Sequence, residues 1–427
     1  MSEDLRRRLR ELGVVKGVRG LTAPHGEKAP THRRAPIEAL VPGHFHTTSH
    51  GQCFVVEATY PPEHLHGHLP LSAFLDVSPH VLAQIARDPA LGQVNLQRIC
   101  FLDTETTGLS AGTGTMAFVV GLGFFTEDGF RVQQYFLRDP GDEPPMIEAL
   151  AELLPTFEAL ASFNGRAFDV PIIENRFIMA RLTPPTTGVP HLDLLPPARR
   201  MWHYHLPSCA LGTLERGVLG VLREQADVPG GVIPILYRDY LRTGDAREMK
   251  RVLYHNLVDV LSLVTLAARL CGAFADPWGT KEEDSDDGLS CGEFYGLGRW
   301  YELEGRPENA ERAYRSALSA HAVADVRPRA LRALGHMLKR ADRRAEALAY
   351  WQQLALEAAP DTADFVLAHV ELAKYFEWHV EDLSLAHGWT LAALTQVKAW
   401  PSGMERDVQL AKLRHRLARL ERKLGRR

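Results

Sequence analysis

The sequence predicts an α/β domain built on a mixed sheet with flanking helices, followed by an all-α solenoid. Three observations predict it. Apolar strand-like and helix-like segments alternate from Arg98 to about Leu270. A stretch rich in acids, Pro and Gly, Asp276 to Gly288 (DPWGTKEEDSDDG), then interrupts the pattern as a linker. Beyond it, Leu297-Gly298, Leu334-Gly335 and Leu372-Ala373 recur roughly 37 residues apart. The expected division is residues 1–97 as an N-terminal arm and small appendage, 98–272 as the α/β domain, 273–289 as the acidic linker and 290–427 as the repeats.

Taken in order, the N-terminal part holds a short basic helix, a strand at Gln52 to Thr59 (QCFVVEAT) and a helix near Ser78 to Ile85. In the α/β domain, Arg98 to Asp103, Met116 to Phe125 and Phe130 to Leu137 are apolar strands separated by turns. A helix from about Pro145 to Leu154, a buried strand at Ala159 to Phe163, a helix from about Val170 to Arg181 and a strand at His191 to Leu195 follow. A long helix from about Ala246 to Leu270 closes the unit. In the repeats, the large residues Tyr314, Trp351 and Trp389 each stand 17 positions after the recurring Leu, and Ala310 and Ala347 share another register. Helical pairs of this kind bury their faces only by stacking, with the charged helix Asp407 to Leu424 as a cap. The small/large pattern resembles tetratricopeptide repeats in a slightly long form.

Composition excludes several function classes. A chain of 427 residues, 45% hydrophobic and 24% charged, is globular in composition and long enough for two or three cores. No uninterrupted apolar run approaches the roughly 18 residues of a membrane span, so no membrane partner is expected. A net charge of −4 excludes a uniformly basic nucleic-acid binder but allows a local basic groove. Five cysteines without a CxxC pair fit a reducing cytoplasm. The opening MSEDLRRRLREL is too charged for a secretory signal.

The chemistry starts at Asp103-Thr104-Glu105-Thr106-Thr107-Gly108-Leu109. Strand residues i and i+2 face the same way, so Asp103 and Glu105 present two carboxylates side by side. Adjacent carboxylates repel unless a cation neutralises them, and hard oxygen donors favour Mg²⁺ or Mn²⁺. On its own, an acidic strand end explains the triplet equally well. Asn164-Gly165-Arg166-Ala167-Phe168-Asp169-Val170-Pro171 places Asp169 at a helix N-terminus, where an ordinary cap would also sit. His255 and Asp259 lie at i and i+4 on the closing helix, whose other residues here are apolar, so the pair must face something polar.

Together Asp103, Glu105, Asp169 and Asp259, in the phrases DTETTGL, FNGRAFD and HNLVDVLSL, resemble the DEDD exonucleases of the ribonuclease-H-like superfamily. The resemblance implies a ribonuclease-H-like sheet and hydrolysis of phosphodiesters from a 3′ end. It implies two divalent cations, Mg²⁺ or Mn²⁺, ligated by Asp103, Glu105 and Asp259, with Asp169 holding the second directly or through water. It also implies that Thr106, Leu109 and Asn164 contact the terminal nucleotide. DNA is favoured over RNA, with a role in repair and a protein partner such as a helicase on the repeats. One departure matters. The family places a Tyr four residues, or a His five residues, before the final Asp, whereas here His255 stands at four and Tyr254 at five. Helix geometry puts His255 on the face of Asp259, to orient or deprotonate the water, and turns Tyr254 away into packing.

Two other readings use the same residues: a structure-directed endonuclease, and a non-catalytic adaptor acting through its repeats. Weaker features read as structure. Gly112-Thr113-Gly114 is a turn rather than a phosphate loop, since no Lys-Ser/Thr follows. His44, His46, His50, His64, His66 and His68 lack a zinc spacing. Asp193 is either a supporting or a purely structural acid. Trp202 to His205 read as an aromatic loop covering the core rather than a base-stacking platform. The basic runs Arg6 to Arg10 and Arg414 to Arg427 read as solvated helix faces.

Overall fold

The computed structural model describes residues 35–108, 114–223, 228–279, 288–319 and 326–425. Arg6 to Arg10, Leu109, Gly112 and Thr113 lie outside these residues. The strands are β1 (His44–Thr48), β2 (Gly51–Tyr60), β3 (Leu65–His66), β4 (Leu69–Pro70), β5 (Ile99–Thr106), β6 (Ala117–Thr126), β7 (Gly129–Phe136), β8 (Ala159–Ser162) and β9 (His191–Asp193). Seven of them form one mixed sheet in the order β1-β2-β7-β6-β5-β8-β9, and β3 and β4 form a separate hairpin. The first five of that order pair antiparallel, whereas β5, β8 and β9 run parallel.

The N-terminal segment corrects the expected boundary. Residues 35–97 are no appendage: β2 pairs along β7, with Val56 opposite Gln134, and carries β1 on its outer edge. The helix α1 (Pro79–Ala86) contributes Leu82 and Ile85 to the core beneath the sheet. The QCFVVEAT run discloses a strand, but its partner lies far along the chain and nothing in β2 itself names it.

Alternation along β5 divides the core. Ile99 and Phe101 join one apolar cluster, Cys100 and Leu102 the other. Helices α2 (Glu143–Leu153), α3 (Asp169–Met179) and α5 (Ile233–Thr243) cover the second face. Helix α4 (Leu195–Trp202) and most of α6 (Arg247–Ala275) cover the first. By length and hydropathy α6 would suffice to cross a bilayer, but its apolar window is 78% buried inside the protein, which makes it the central core helix. It lies close to β6 because Gly121 and Gly123 face it: a Cβ at Gly121 would come within 2.2 Å of Asn256 Oδ1, and one at Gly123 within 2.5 Å of Val260.

The solenoid comprises α7 (Cys291–Leu303), α8 (Pro307–Ser319), α9 (Val326–Arg340), α10 (Arg344–Glu357), α11 (Ala363–Tyr375), α12 (Leu383–Ala399) and α13 (Met404–Lys423). The repeat pattern is a packing code. A Cβ at Gly298 would meet the Tyr314 ring at 2.4 Å, and one at Gly335 the Trp351 ring at 2.5 Å. Each glycine lets the next helix's large ring reach its backbone.

A free-standing solenoid on a linker is not what forms. One apolar cluster runs from the sheet through Trp202 and Phe274 to Trp300, Tyr314 and Met337. Glu293 rivets the junction: it closes a capping box with Ser290, accepts from Trp202 Nε1 at 3.1 Å and from Arg269 Nη2 at 2.6 Å. The start of the expected linker is structured too, since α6 continues to Ala275 and Trp278 donates to Ser316 Oγ at 3.0 Å beneath the Arg312 guanidinium.

Candidate active site

The C-terminal end of β5 delivers the acidic pair. Asp103 and Glu105 follow Ile99 and Phe101 onto the face covered by α6, which supplies His255 and Asp259 one turn apart. Asp169 arrives at the first turn of α3, directly after the turn that leaves β8. That turn needs Asn164 in the left-handed region, at φ 65°, and close approach at Gly165, where a Cβ would lie 2.2 Å from Ser162 Oγ and 3.3 Å from Asp169 Oδ2. Asp193 fixes it from β9: its carboxylate accepts from the backbone N–H of Asn164 at 2.8 Å, Arg166 at 3.2 Å and Leu195 at 3.1 Å. Asp193 thus acts on the backbone that aims Asp169.

The acids are mostly shielded from water and strain against one another electrostatically. Burial, together with the carboxylates of Asp259, Asp169 and Glu105, holds Asp103 well above the usual carboxylate range, opposed by a hydrogen bond from Asn256. Burial pushes Asp169 up to about 6, against its bonds from Thr104. Burial also raises Asp259, opposed by His255 and Arg223.

Asp103, Asp169 and Asp259 each have an anchor. Asn256 Nδ2 donates to Asp103 Oδ2 at 2.7 Å, while Gln134 Nε2 on β7 donates to Asn256 Oδ1 at 2.8 Å. Thr104 Oγ1 donates to Asp169 Oδ1 at 2.5 Å. Arg223 pairs with Asp259 and with Glu215, the latter at 2.8 Å, and Nη1 lies 2.7 Å from His255 Nδ1. Glu215 in turn accepts from Ser262 Oγ at 2.8 Å, which lies 2.8 Å from His66 Nε2. Drawn towards these separate partners, the carboxylates are not closed round one point: among the described residues, no group of three or more His, Cys, Asp or Glu forms a ready-made metal cage. The chemistry of the donor set nevertheless fits a hard divalent cation, because oxygen donors dominate and the neighbouring carboxylates add to burial in disfavouring the bare charge of Asp103.

Of the residues expected at the site, Asp103, Glu105, Asp169, His255 and Asp259 converge. His255 Nε2 lies 3.9 Å from Glu105 Oε1 and 3.5 Å from Asp259 Oδ2. Thr106 is buried, its hydroxyl donating to Gly108 O at 2.6 Å. Asn164 shapes the turn, and Leu109 lies outside the described residues. Tyr254 packs against the core. The six histidines scatter: His50 bonds Glu148, His64 packs at a tilt against Tyr60, and His66 is buried, which pushes it down to about 4. Trp202 is buried at the junction, and Tyr204 packs on Tyr295. Asn256, Gln134, Arg223 and Glu215 were not anticipated. Asn256 left a trace as a polar residue in an apolar helix; Arg223 and Glu215 left none.

A central strand ending in paired acids, flanked by carboxylates from two helices on either side of a mixed sheet, defines a nuclease-type domain. Residues 100–271 match the family described as RNase_H superfamily. Across 381 residues, 87% of this chain and 86% of the relative, the chain is 29% identical to a protein of Bacillus subtilis (strain 168) described as "Uncharacterized protein YprB". That similarity extends beyond the nuclease-type domain, since it covers more than twice the 100–271 segment.

Proposed function

We propose that the chain is a metal-dependent 3′-to-5′ exonuclease of the two-metal type, with Asp103, Glu105, Asp169 and Asp259 as the ligands. The observation that carries this reading is geometric: β5 delivers Asp103 and Glu105, the first turn of α3 delivers Asp169, and α6 delivers Asp259 with His255 within 3.9 Å of Glu105, a set of hard oxygen donors suited to a divalent cation. Two such cations, Mg²⁺ or Mn²⁺, would stabilise the charge that develops on the attacked phosphoryl group and the leaving 3′ oxygen. Asn256 and Gln134 hold Asp103 in register, Thr104 holds Asp169, and Arg223 holds Asp259 and His255. DNA as the favoured polymer, a repair role, a helicase-like partner and a reducing cytoplasm belong to the same reading.

Oligonucleotides of DNA and RNA, labelled at the 5′ or the 3′ end, test it directly. With Mg²⁺ or Mn²⁺, a 5′ label should give a descending ladder and a 3′ label should be released as a mononucleotide from the first turnover. Excess chelator should abolish both. Cleavage at internal positions of a circular strand would establish the endonuclease instead, and undiminished turnover in chelator would remove the metal mechanism.

A further inference from the structure

The solenoid carries a chain of cation clusters that the proposed chemistry does not use. Three glutamates, largely shielded from water, each gather more positive than negative charge. Glu302 holds Arg299 at 3.2 Å and Arg340 at 2.6 Å. Glu371 holds Lys339 and, at 2.5 Å, Lys374. Glu377 holds Arg416 at 2.9 Å, Arg419 at 2.6 Å and Lys423 at 2.8 Å. Burying the carboxylate while leaving the cations partly exposed fixes each cluster and presents its excess positive charge outward.

The first cluster is the most elaborate. A cavity of about 320 Å³ is lined by Tyr204, Tyr295, Arg299, Arg329, Arg332 and Arg340, with Glu302 the one acid in its wall. Arg332 is countered from outside by Asp364 at 2.7 Å, and Arg329 donates to the Tyr204 carbonyl at 3.3 Å. Arg329, Arg332 and Arg340 share one stripe of α9 that rises about 16 Å, room for several consecutive phosphates. Tyr204 and Tyr295 meet edge to face with centroids 5.0 Å apart.

We infer that this Arg/Tyr cavity binds the phosphodiester backbone and bases of a nucleic-acid strand outside the catalytic acids. The inference rests on the reading that those acids hydrolyse nucleic acid. Guanidinium groups beside the half-buried ring of Tyr204, which the buried Tyr295 backs, match a single strand, which offers both phosphates and π-faces, better than an acidic polypeptide, which offers only charge. Position supports the same occupant. Tyr204 follows α4, and the first residue of α4, Leu195, bonds the Asp193 carboxylate that also fixes the turn before Asp169. Eight residues of α4 rise about 12 Å, so one short helix links the turn that Asp193 fixes to the loop carrying Tyr204.

The test uses the full chain carrying Asp103→Asn, which prevents turnover, and fluorescent DNA and RNA 30-mers titrated over a range of salt. Adding Arg332→Gln and Arg340→Gln should weaken binding at least tenfold and flatten the slope of log affinity against log salt by roughly 1.4, the value for two lost phosphate contacts on a single strand. Lysine at both positions should restore the slope, and thermal melts report that each variant is folded. With Asp103 intact, the double Gln variant should hydrolyse a tetranucleotide at the normal rate. An unchanged slope and affinity would overturn the inference while tetranucleotide cleavage still upheld the nuclease reading. Arginine-dependent binding without cleavage under any divalent ion would do the reverse. Displacement of labelled poly-glutamate from these arginines, with no effect on the 30-mers, would assign the cavity to an acidic protein and sink the proposal. Comparing DNA with RNA identifies which strand it prefers.

Discussion

Nη1 of Arg223 lies 2.7 Å from Nδ1 of His255. A guanidinium has hydrogens to give and no lone pair to receive, so Nδ1 is the acceptor of that bond. The proton of the neutral ring then resides on Nε2, the nitrogen turned towards Glu105 and Asp259. Of the two roles expected for His255, orienting or deprotonating the water, this arrangement favours the first.

Substitution at His255 separates the roles. Glutamine places an N–H donor near the position of Nε2 but cannot take up a proton. His255→Gln should keep single-turnover rates within about tenfold of the parent, whereas His255→Ala should lose on the order of 10²-fold. Tyr254→Phe, altering a side chain packed in the core, should change the rate little. If Gln proves as poor as Ala, Nε2 acts as an acceptor and the Arg223 contact is broken during turnover.

The pH dependence of stability probes the acids without any substrate. The folded Asp169 carboxyl titrates at about 6 instead of the unfolded value near 3.9, because burial disfavours its charge. A raised carboxyl favours the folded state at low pH, and that contribution is lost as pH rises through about 6. Compared in chelator, wild type should therefore lose stability relative to Asp169→Asn between pH 4 and pH 7.5, by an amount on the order of 3 kcal/mol. Mg²⁺ or Mn²⁺ should narrow the gap at pH 7.5 by binding the ionised carboxylates. Denaturant midpoints at both pH values decide it: parallel curves for the two proteins would mean that Asp169 ionises without penalty.

The acids were legible because their pattern is local: strand alternation places Asp103 beside Glu105, and a helical turn places His255 above Asp259. The repeats were legible for a similar reason, each glycine and its ring lying at a constant offset that becomes a direct contact, as at Gly335 and Trp351. What stayed hidden depends on pairing across the chain. β2 finds β7, Asn256 finds Gln134 and Asp103, and Arg223 finds Asp259 only when the sheet and α6 are assembled. The acidic composition of 276–288 misled in one respect, since it gave no sign that Trp278 within it and Glu293 beyond it are packed and bonded.

Those contacts reverse an expectation about truncation. A linker with a separable solenoid would let the chain be cut after Gly288 with catalysis on short strands intact. In the structure that cut would strip cover from Met201, Trp202, Cys271 and Phe274, and leave Arg269 and Trp202 without Glu293. Fully burying one such large apolar side chain contributes about 1.5–3 kcal/mol, so exposing several would consume most of a typical stability of 5–15 kcal/mol. The protein truncated after Gly288 should therefore be insoluble or melt far below the parent. A cut after Arg340 keeps α7, α8 and α9 and should leave a folded protein that still cleaves short oligonucleotides. A point substitution probes the same joint: a Cβ at Gly296 would stand 2.1 Å from the Met201 carbonyl oxygen, so Gly296→Ala must push α7 off α4 and should cost about 1–3 kcal/mol. Calorimetric melting of the three proteins checks this, and a cooperative, near-parental transition in the chain ending at Gly288 would show that the nuclease-type domain carries its own complete core.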